Sequence, residues 1–271
     1  MASIGIFDSG YGGLTIFKSI VDLLPQYNYI YLGDNARAPY GNRDFETVYQ
    51  FTLQAVKWLF EQDCDLVILA CNTASAKALR SIQQKDLIHF NSNKRVLGVI
   101  RPTAEVLANY SKTKHVGILG TLGTVRSQSY LIEIAHFAPE IKVVQHACPL
   151  WVPLIEAHQH KSTEALEVFR NDIETLFKED SQIDTLLLAC THYPLVKNII
   201  QKFVPENVTI VSQDELVANS LNDYLKRHAE MEGQMDRNGK QLFFTTGDTA
   251  DFEAHTQLFF GKEIKAYKAE L

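Results

Sequence analysis

The run DLVILACNT from Asp65 to Thr73 returns as DTLLLACTH from Asp184 to His192, with Cys71 matched to Cys190 at an offset of 119 residues. A second pair falls at a similar spacing: IGIFDSGYGG from Ile4 matches VGILGTLGTV from Val116, which sets Ser9 opposite Thr121 and Gly12 opposite Thr124. A repeat this long is a duplicated half of a protein, well beyond the roughly 20 to 50 residues of a solenoid unit. The chain must therefore fold as two copies of one plan.

That plan is α/β. Short apolar, β-branched runs alternate with stretches of helical period, the pattern of parallel sheets built from βαβ units. The expected strands are Ile4 to Phe7, Tyr29 to Leu32, Leu66 to Ala70, Val96 to Ile100, Val116 to Leu119, Val143 to His146, Thr185 to Ala189 and Val208 to Ser212. Amphipathic stretches such as Leu14 to Leu24, Thr47 to Glu61 and Thr163 to Phe177 read as helices between them. The expectation is two similar parallel-sheet domains related by a pseudo-twofold axis, with the site in the cleft between them. Ligands of such sheets bind beyond the carboxyl ends of the strands. Both cysteines lie at such ends, and two facing halves would aim them at one small volume.

Composition removes several function classes. With 26 basic against 32 acidic residues, a net charge of −6 disfavours binding to a nucleic-acid backbone. No apolar run approaches the roughly 20 residues that span a bilayer, and the chain enters strand-like Ile4-Gly5-Ile6-Phe7 at once, so a cytoplasmic protein without membrane association is expected. Cys64, Cys71, Cys148 and Cys190 form no C-x-x-C pair and are expected to remain thiols.

Two thiols facing one carbon suit proton exchange at a stereocentre, which needs a base on one side and an acid on the other. A cysteine's ordinary pKa near about 8.5 lets one be thiolate while the other is thiol. Charge developing on a substrate carboxylate needs donors, for which the backbone amides at Ser9-Gly10, Asn72-Thr73 and Thr191-His192 are candidates. Each residue also has a plainer reading. A single buried Cys is most often a small hydrophobe, and Cys64 and Cys148, which lack matched partners, read as structural. Asp8 is either a helix cap for the segment starting near Leu14 or a site residue. His192 is either a satisfied core histidine or a partner of Cys190. Tyr40-Gly41, after Pro39, is either a turn or a substrate-facing loop. Asn42-Arg43 is expected to be solvated.

The blocks DSGYGG (Asp8 to Gly13), GDNARAPYG (Gly33 to Gly41), ACNTAS (Ala70 to Ser75), GTLGTVRS (Gly120 to Ser127), CPLWVPLIE (Cys148 to Glu156) and ACTHYPL (Ala189 to Leu195) run in this order along almost the whole chain. Together they resemble the glutamate racemases of the aspartate/glutamate racemase superfamily. The resemblance implies reversible conversion of L-glutamate to D-glutamate for bacterial peptidoglycan, with no cofactor and no metal. It implies Cys71 and Cys190 as the acid/base pair, with Asp8 assisting Cys71 and His192 assisting Cys190. It implies a substrate lined by Asp8, Ser9, Tyr40, Gly41, Asn72, Thr73, Thr191 and His192, with Thr121, Thr124 and Glu156 close by. It also implies that the chain returns after its second domain to complete the first, which gives 1–98 plus 210–271 for one domain and 99–209 for the other. The oligomeric state stays open, a homodimer being one reading.

The chain departs from that pattern at Arg101, where an acidic residue is usual, and at Ser212-Gln213-Asp214, in place of a more usual Asp-Ser pair. Both departures are expected to bear on hinge, interface or effector details. An aspartate racemase or another member of the superfamily is the nearest alternative. A redox or zinc protein using Cys71, Cys190 and His192 is a more distant one, since those residues lack the paired spacing of structural zinc sites.

Overall fold

A computed structural model describes residues 2–90 and 93–271. Its strands are β1 (Ser3–Asp8), β2 (Tyr29–Gly33), β3 (Cys64–Leu69), β4 (Arg95–Gly98), β5 (His115–Gly120), β6 (Lys142–Ala147), β7 (Thr185–Ala189), β8 (Thr209–Val211), β9 (Gln241–Thr245) and β10 (Ala266–Lys268). They form two sheets, a six-stranded one in the order β10-β9-β2-β1-β3-β4 and a four-stranded one in the order β6-β5-β7-β8. Every pairing within them is parallel. The orders β2-β1-β3-β4 and β6-β5-β7-β8 are the same path walked twice, so the sequence repeat is a repeat of topology.

The eight expected strands are all present. Three trim at their carboxyl ends: β3 stops at Leu69, β4 stops at Gly98 because Ile100 already belongs to the helix Ile100–Leu107, and β8 stops at Val211. Sequence reading omits β9 and β10. These extend the first sheet beyond β2, so the chain returns to the first sheet after leaving the second.

Both faces of each sheet are covered, which is why the strands read as unbroken apolar runs rather than alternating ones. On β1 and β3, Ile4, Ile6, Leu66 and Ile68 pack against the helices Gly13–Leu23 and Asp214–Arg227, while Phe7, Val67 and Leu69 pack against the helix Phe45–Glu61. On β5 and β7, Val116, Ile118, Leu187 and Ala189 face the helices Ile100–Leu107 and Ser129–Phe137. The first of these apolar clusters continues from the first sheet to Trp151, Phe169 and Leu188 of the second half. At about 1.5–3 kcal/mol for each large apolar side chain fully buried, that shared core holds the two halves together. No helix among the described residues is long and apolar enough to cross a membrane.

Candidate active site

Strand register places the candidate residues. Phe7 pairs with Leu69, and Ala70 donates its N–H to Phe7 O at 2.8 Å, so two residues on Ser9 lies beside Cys71. Their Oγ and Sγ atoms are 3.4 Å apart. Cys71 is also the N-cap of the helix Asn72–Lys77, its Sγ accepting the Ala74 N–H at 3.4 Å. Burial pushes the Cys71 thiol up to about 12, Asp8 pushing the same way against the Ser9 and Ala74 hydrogen bonds; the charge of Cys190 adds to the rise. The two thiols therefore sense one another, each in a strand-to-helix turn and each only 6% exposed.

Asp8 packs against Gly13, the first residue of the helix expected near Leu14, and the Gly13 N–H helps to hold its carboxyl down. Its Oδ2 accepts the Gly10 N–H at 2.9 Å, while its Oδ1 is buried with no hydrogen-bond partner. Burial raises the Asp8 carboxyl above the usual carboxylate range, and the nearby His192 opposes that rise. The Gly10 amide is thus already engaged by Asp8 and is not a free donor, contrary to the sequence expectation.

On the other side, β7 ends at Ala189 opposite Gly120, and a short 3₁₀ turn, Tyr193–Val196, follows Cys190. His192 is buried, and both of its ring nitrogens have partners. Its Nδ1 faces Cys190 Sγ at 3.9 Å and its Nε2 meets Glu156 Oε1 at 2.8 Å. Burial alone would lower its pKa, but the hydrogen bonds to Cys190 and Glu156 outweigh it and raise the imidazole to about 10. Glycine is required at position 12 for space. A Cβ there would lie 2.2 Å from Thr191 Oγ1 and 2.4 Å from His192 Nδ1. The DSGYGG loop of the first half is thereby seated directly on the Cys190 turn of the second, and Thr15 Oγ1 adds a bond to the Thr191 carbonyl at 3.0 Å.

The remaining candidates divide into two groups. Thr73 Oγ1 lies 2.9 Å from Thr121 Oγ1, which lies 3.0 Å from Thr124 Oγ1, and the Gly123 N–H donates to the Gly41 carbonyl at 2.8 Å. Gly41, Thr73, Thr121 and Thr124 thus form a hydroxyl-lined seam between the halves. Tyr40 and Asn72 turn their polar groups elsewhere. The Tyr40 hydroxyl donates to Asp34, which also accepts Arg37 Nε at 2.7 Å and Thr246 Oγ1 at 2.7 Å, so this side chain anchors its loop. Asn72 is bonded on both ends of its amide, to Tyr130 and to Gln213. Arg43 is not freely solvated: it donates to the Arg37 carbonyl at 3.0 Å and lies over the Phe51 ring.

Sequence reasoning did not single out Asp34, Tyr130 or Gln213 as site support. Asp34 lay inside a quoted block, and Gln213 lay at a noted departure, so both had a signal; Tyr130 had none. Cys64 and Cys148 are buried and burial raises both thiols, Cys64 to about 12, in keeping with their structural reading. Among the described residues, one group of side chains has the makings of a metal site: His146, Cys148 and Asp172. There the Asp172 oxygens are taken by His146 Nε2 at 2.9 Å and Trp151 Nε1 at 2.7 Å, which makes it a satisfied tie between β6 and the helix Thr163–Glu179.

Known proteins resemble this chain in sequence and fold. The profile of the Asp/Glu/hydantoin racemase family matches residues 4–219. A glutamate racemase from Roseobacter denitrificans is 41% identical, over 97% of this chain and 98% of the relative. The solved structure of the glutamate racemase isoform RacE1 from Bacillus anthracis superimposes with a TM-score of 0.90 at 34% identity, covering 100% of this chain and 98% of the other. That of the Francisella tularensis glutamate racemase, in complex with D-glutamate, gives 0.86 at 29% identity, covering 100% and 97%. The two-sheet architecture, the paired cysteine turns and these likenesses agree: the chain belongs to the Asp/Glu/hydantoin racemase family, among its glutamate racemases.

Proposed function

We propose that this protein interconverts L- and D-glutamate by proton exchange between Cys71 and Cys190, without a cofactor, and so supplies D-glutamate for bacterial peptidoglycan from the cytoplasm. The observation that carries the reading is the pairing of two buried thiols at equivalent strand ends, each with a different ionisable auxiliary. One sulfur, as thiolate, takes the α-proton while the C–H electron pair stays on carbon; the opposed thiol returns a proton to the other face. By likeness to the family, Cys190 takes the proton of L-glutamate and Cys71 that of D-glutamate.

The α-proton is a weak acid, so its removal depends on groups that meet the charge developing at the carboxylate. The amides of Asn72, Thr73, Thr191 and His192 and the hydroxyls of Ser9, Thr73, Thr121 and Thr124 are the donors assigned to the substrate. The unpartnered Asp8 Oδ1 is assigned to the substrate ammonium. His192, held charged by Glu156, serves Cys190, and Asp8 serves Cys71. Tyr40 acts through its loop, presenting Gly41 to the seam. The domains are assigned as 1–98 plus 212–271 and 99–211; the expected break at 209/210 moves because it would cut β8, whose Ile210 and Val211 pair with β7 of the second sheet.

Circular dichroism of L-glutamate incubated with chelator-treated protein, with aspartate and glutamine as parallel substrates, tests the reading. Decay of the glutamate signal to zero, with the other two amino acids turning over slowly or not at all, is the expected result. Faster racemisation of aspartate would replace glutamate as the substrate. Activity that requires added metal or pyridoxal phosphate would overturn the two-thiol chemistry.

A further inference from the structure

Asn72, Tyr130 and Gln213 come from three distant parts of the chain. Asn72 follows Cys71, Tyr130 lies on the helix Ser129–Phe137 against the second sheet, and Gln213 lies in the connection between β8 and the helix Asp214–Arg227. Their side chains close a ring of hydrogen bonds. The Tyr130 hydroxyl donates to Asn72 Oδ1 at 2.6 Å, Asn72 Nδ2 donates to Gln213 Oε1 at 2.7 Å, and Gln213 Nε2 donates to the Tyr130 oxygen at 2.7 Å. Gln213 Nε2 also reaches Thr103 Oγ1 at 2.9 Å and the Val99 carbonyl at 3.3 Å. All three ring residues are buried.

Two properties of the ring matter. Its bonds run in one sense, each donor being polarised by the bond it accepts, and a buried polar network with every member satisfied is rigid. It also joins the two crossings of the chain between sheets, since Val99 leads out of β4 toward β5 and Gln213 leads out of β8 toward the first sheet. Asn72 is covalently next to one thiol, and Tyr130 is close enough to Cys190 to feel its charge. We propose that Gln213 is a positioning residue for proton transfer, its amide completing a ring with Asn72 and Tyr130 that sets the Cys71 turn at a fixed distance from the Cys190 half. This rests on the two-thiol reading above. Proton transfer needs reacting atoms about 3–3.5 Å apart, and an error of about 1 Å can lower the rate roughly 100-fold, so a small loss of register at Gln213 is enough to matter.

The test uses two volume-conserving variants of the whole protein, Gln213→Met and Tyr130→Phe, each compared with wild type for kcat and KM in both directions and for the isotope effect on kcat/KM with α-deuterated glutamate. A positioning role lowers kcat about ten-fold or more in both directions, leaves KM within about two-fold, and raises the isotope effect for both enantiomers as proton transfer becomes more rate-limiting. The double variant should be scarcely slower than the worse single one, because the two residues act as a unit. Wild-type kcat in folded Gln213→Met, or a loss confined to KM, overturns the proposal. If Gln213→Met does not fold, Tyr130→Phe decides alone, since it deletes a single oxygen. Cys71→Ala is run alongside. Retained turnover in that variant would defeat the two-thiol reading, whereas an inactive Cys71→Ala beside a fully active Gln213→Met would defeat only the ring.

Discussion

The turns after β3 and β7 begin with the same strand, the same Ala-Cys pair and the same place in their sheets, yet they build different environments for sulfur. At Cys71 the chain goes straight into a helix, the thiol caps it, and its neighbours are the Ser9 hydroxyl and the Asp8 carboxyl. At Cys190 a Pro-containing 3₁₀ turn follows, and the neighbour is the His192 imidazole backed by Glu156. The repeat sets His192 opposite Thr73 and Asp8 opposite Gly120, so neither auxiliary has a counterpart in the other half. The repeat thus supplies matched thiols with unmatched partners, the asymmetry that the proposed two-thiol reading needs if each sulfur serves a different enantiomer.

The largest effect that would break this comparison is an unequal need for the two sulfurs. Cys71→Ala and Cys190→Ala are each expected to lower racemisation by roughly 10³-fold or more, with the double variant scarcely worse and Cys64→Ala near wild type. Full turnover in either key variant, measured by circular dichroism, would leave only one functional thiol.

Next in size is Gly12→Ala. The added methyl must displace Thr191 or the His192 ring, and we expect kcat to fall on the order of 100-fold. Rates within two-fold of wild type would mean that the Cys190 turn has slack that its packing does not suggest.

Smaller, but more discriminating, are isotope effects in Asp8→Asn and His192→Asn. Enantiomers have equal free energy in water, so kcat/KM must be equal in the two directions for every variant, and only isotope effects separate the proton transfers. Asp8→Asn should raise the effect on kcat/KM for α-deuterated D-glutamate and lower it for L-glutamate; His192→Asn should do the reverse. Asp8 and His192 interact electrostatically across the site. Shifts in the same direction for both variants would therefore mean that they act as one pair, not as separate auxiliaries.

The smallest effect is on stability. The folded-state pKa of His192 is raised from 6.5 to about 10, so its contribution is present in full below about pH 6.5 and is lost as pH rises toward 10. Calorimetry should find the Tm gap between wild type and His192→Asn wider at pH 6 than at pH 10. An equal gap at both values would show that the charge on His192 adds nothing to folding.

Much of this was legible in the chain before folding. The repeat, the eight strands it organises and the cysteine turns follow from local patterns: apolar runs that seek burial on both faces, and loops placed at strand ends. β9 and β10 were not legible, because such short strands carry no repeat partner; β9 joins the first sheet only through β2, about 200 residues away in sequence, and β10 only through β9. The site divides the same way. Cys71, Cys190, Asp8 and His192 could be named as candidates from motif position. That Asn72 spends its amide on a ring, that Tyr40 turns its hydroxyl to Asp34, and that Gln213 stands behind the Cys71 turn could not. The sequence by itself determined which residue types stand at each strand end, since that is a matter of covalent order and of a period the chain must obey. Only the tertiary structure decided which of those polar groups face one another, because a hydrogen bond joins atoms within about 3 Å whatever their separation along the chain, and that proximity is set by how the two sheets pack.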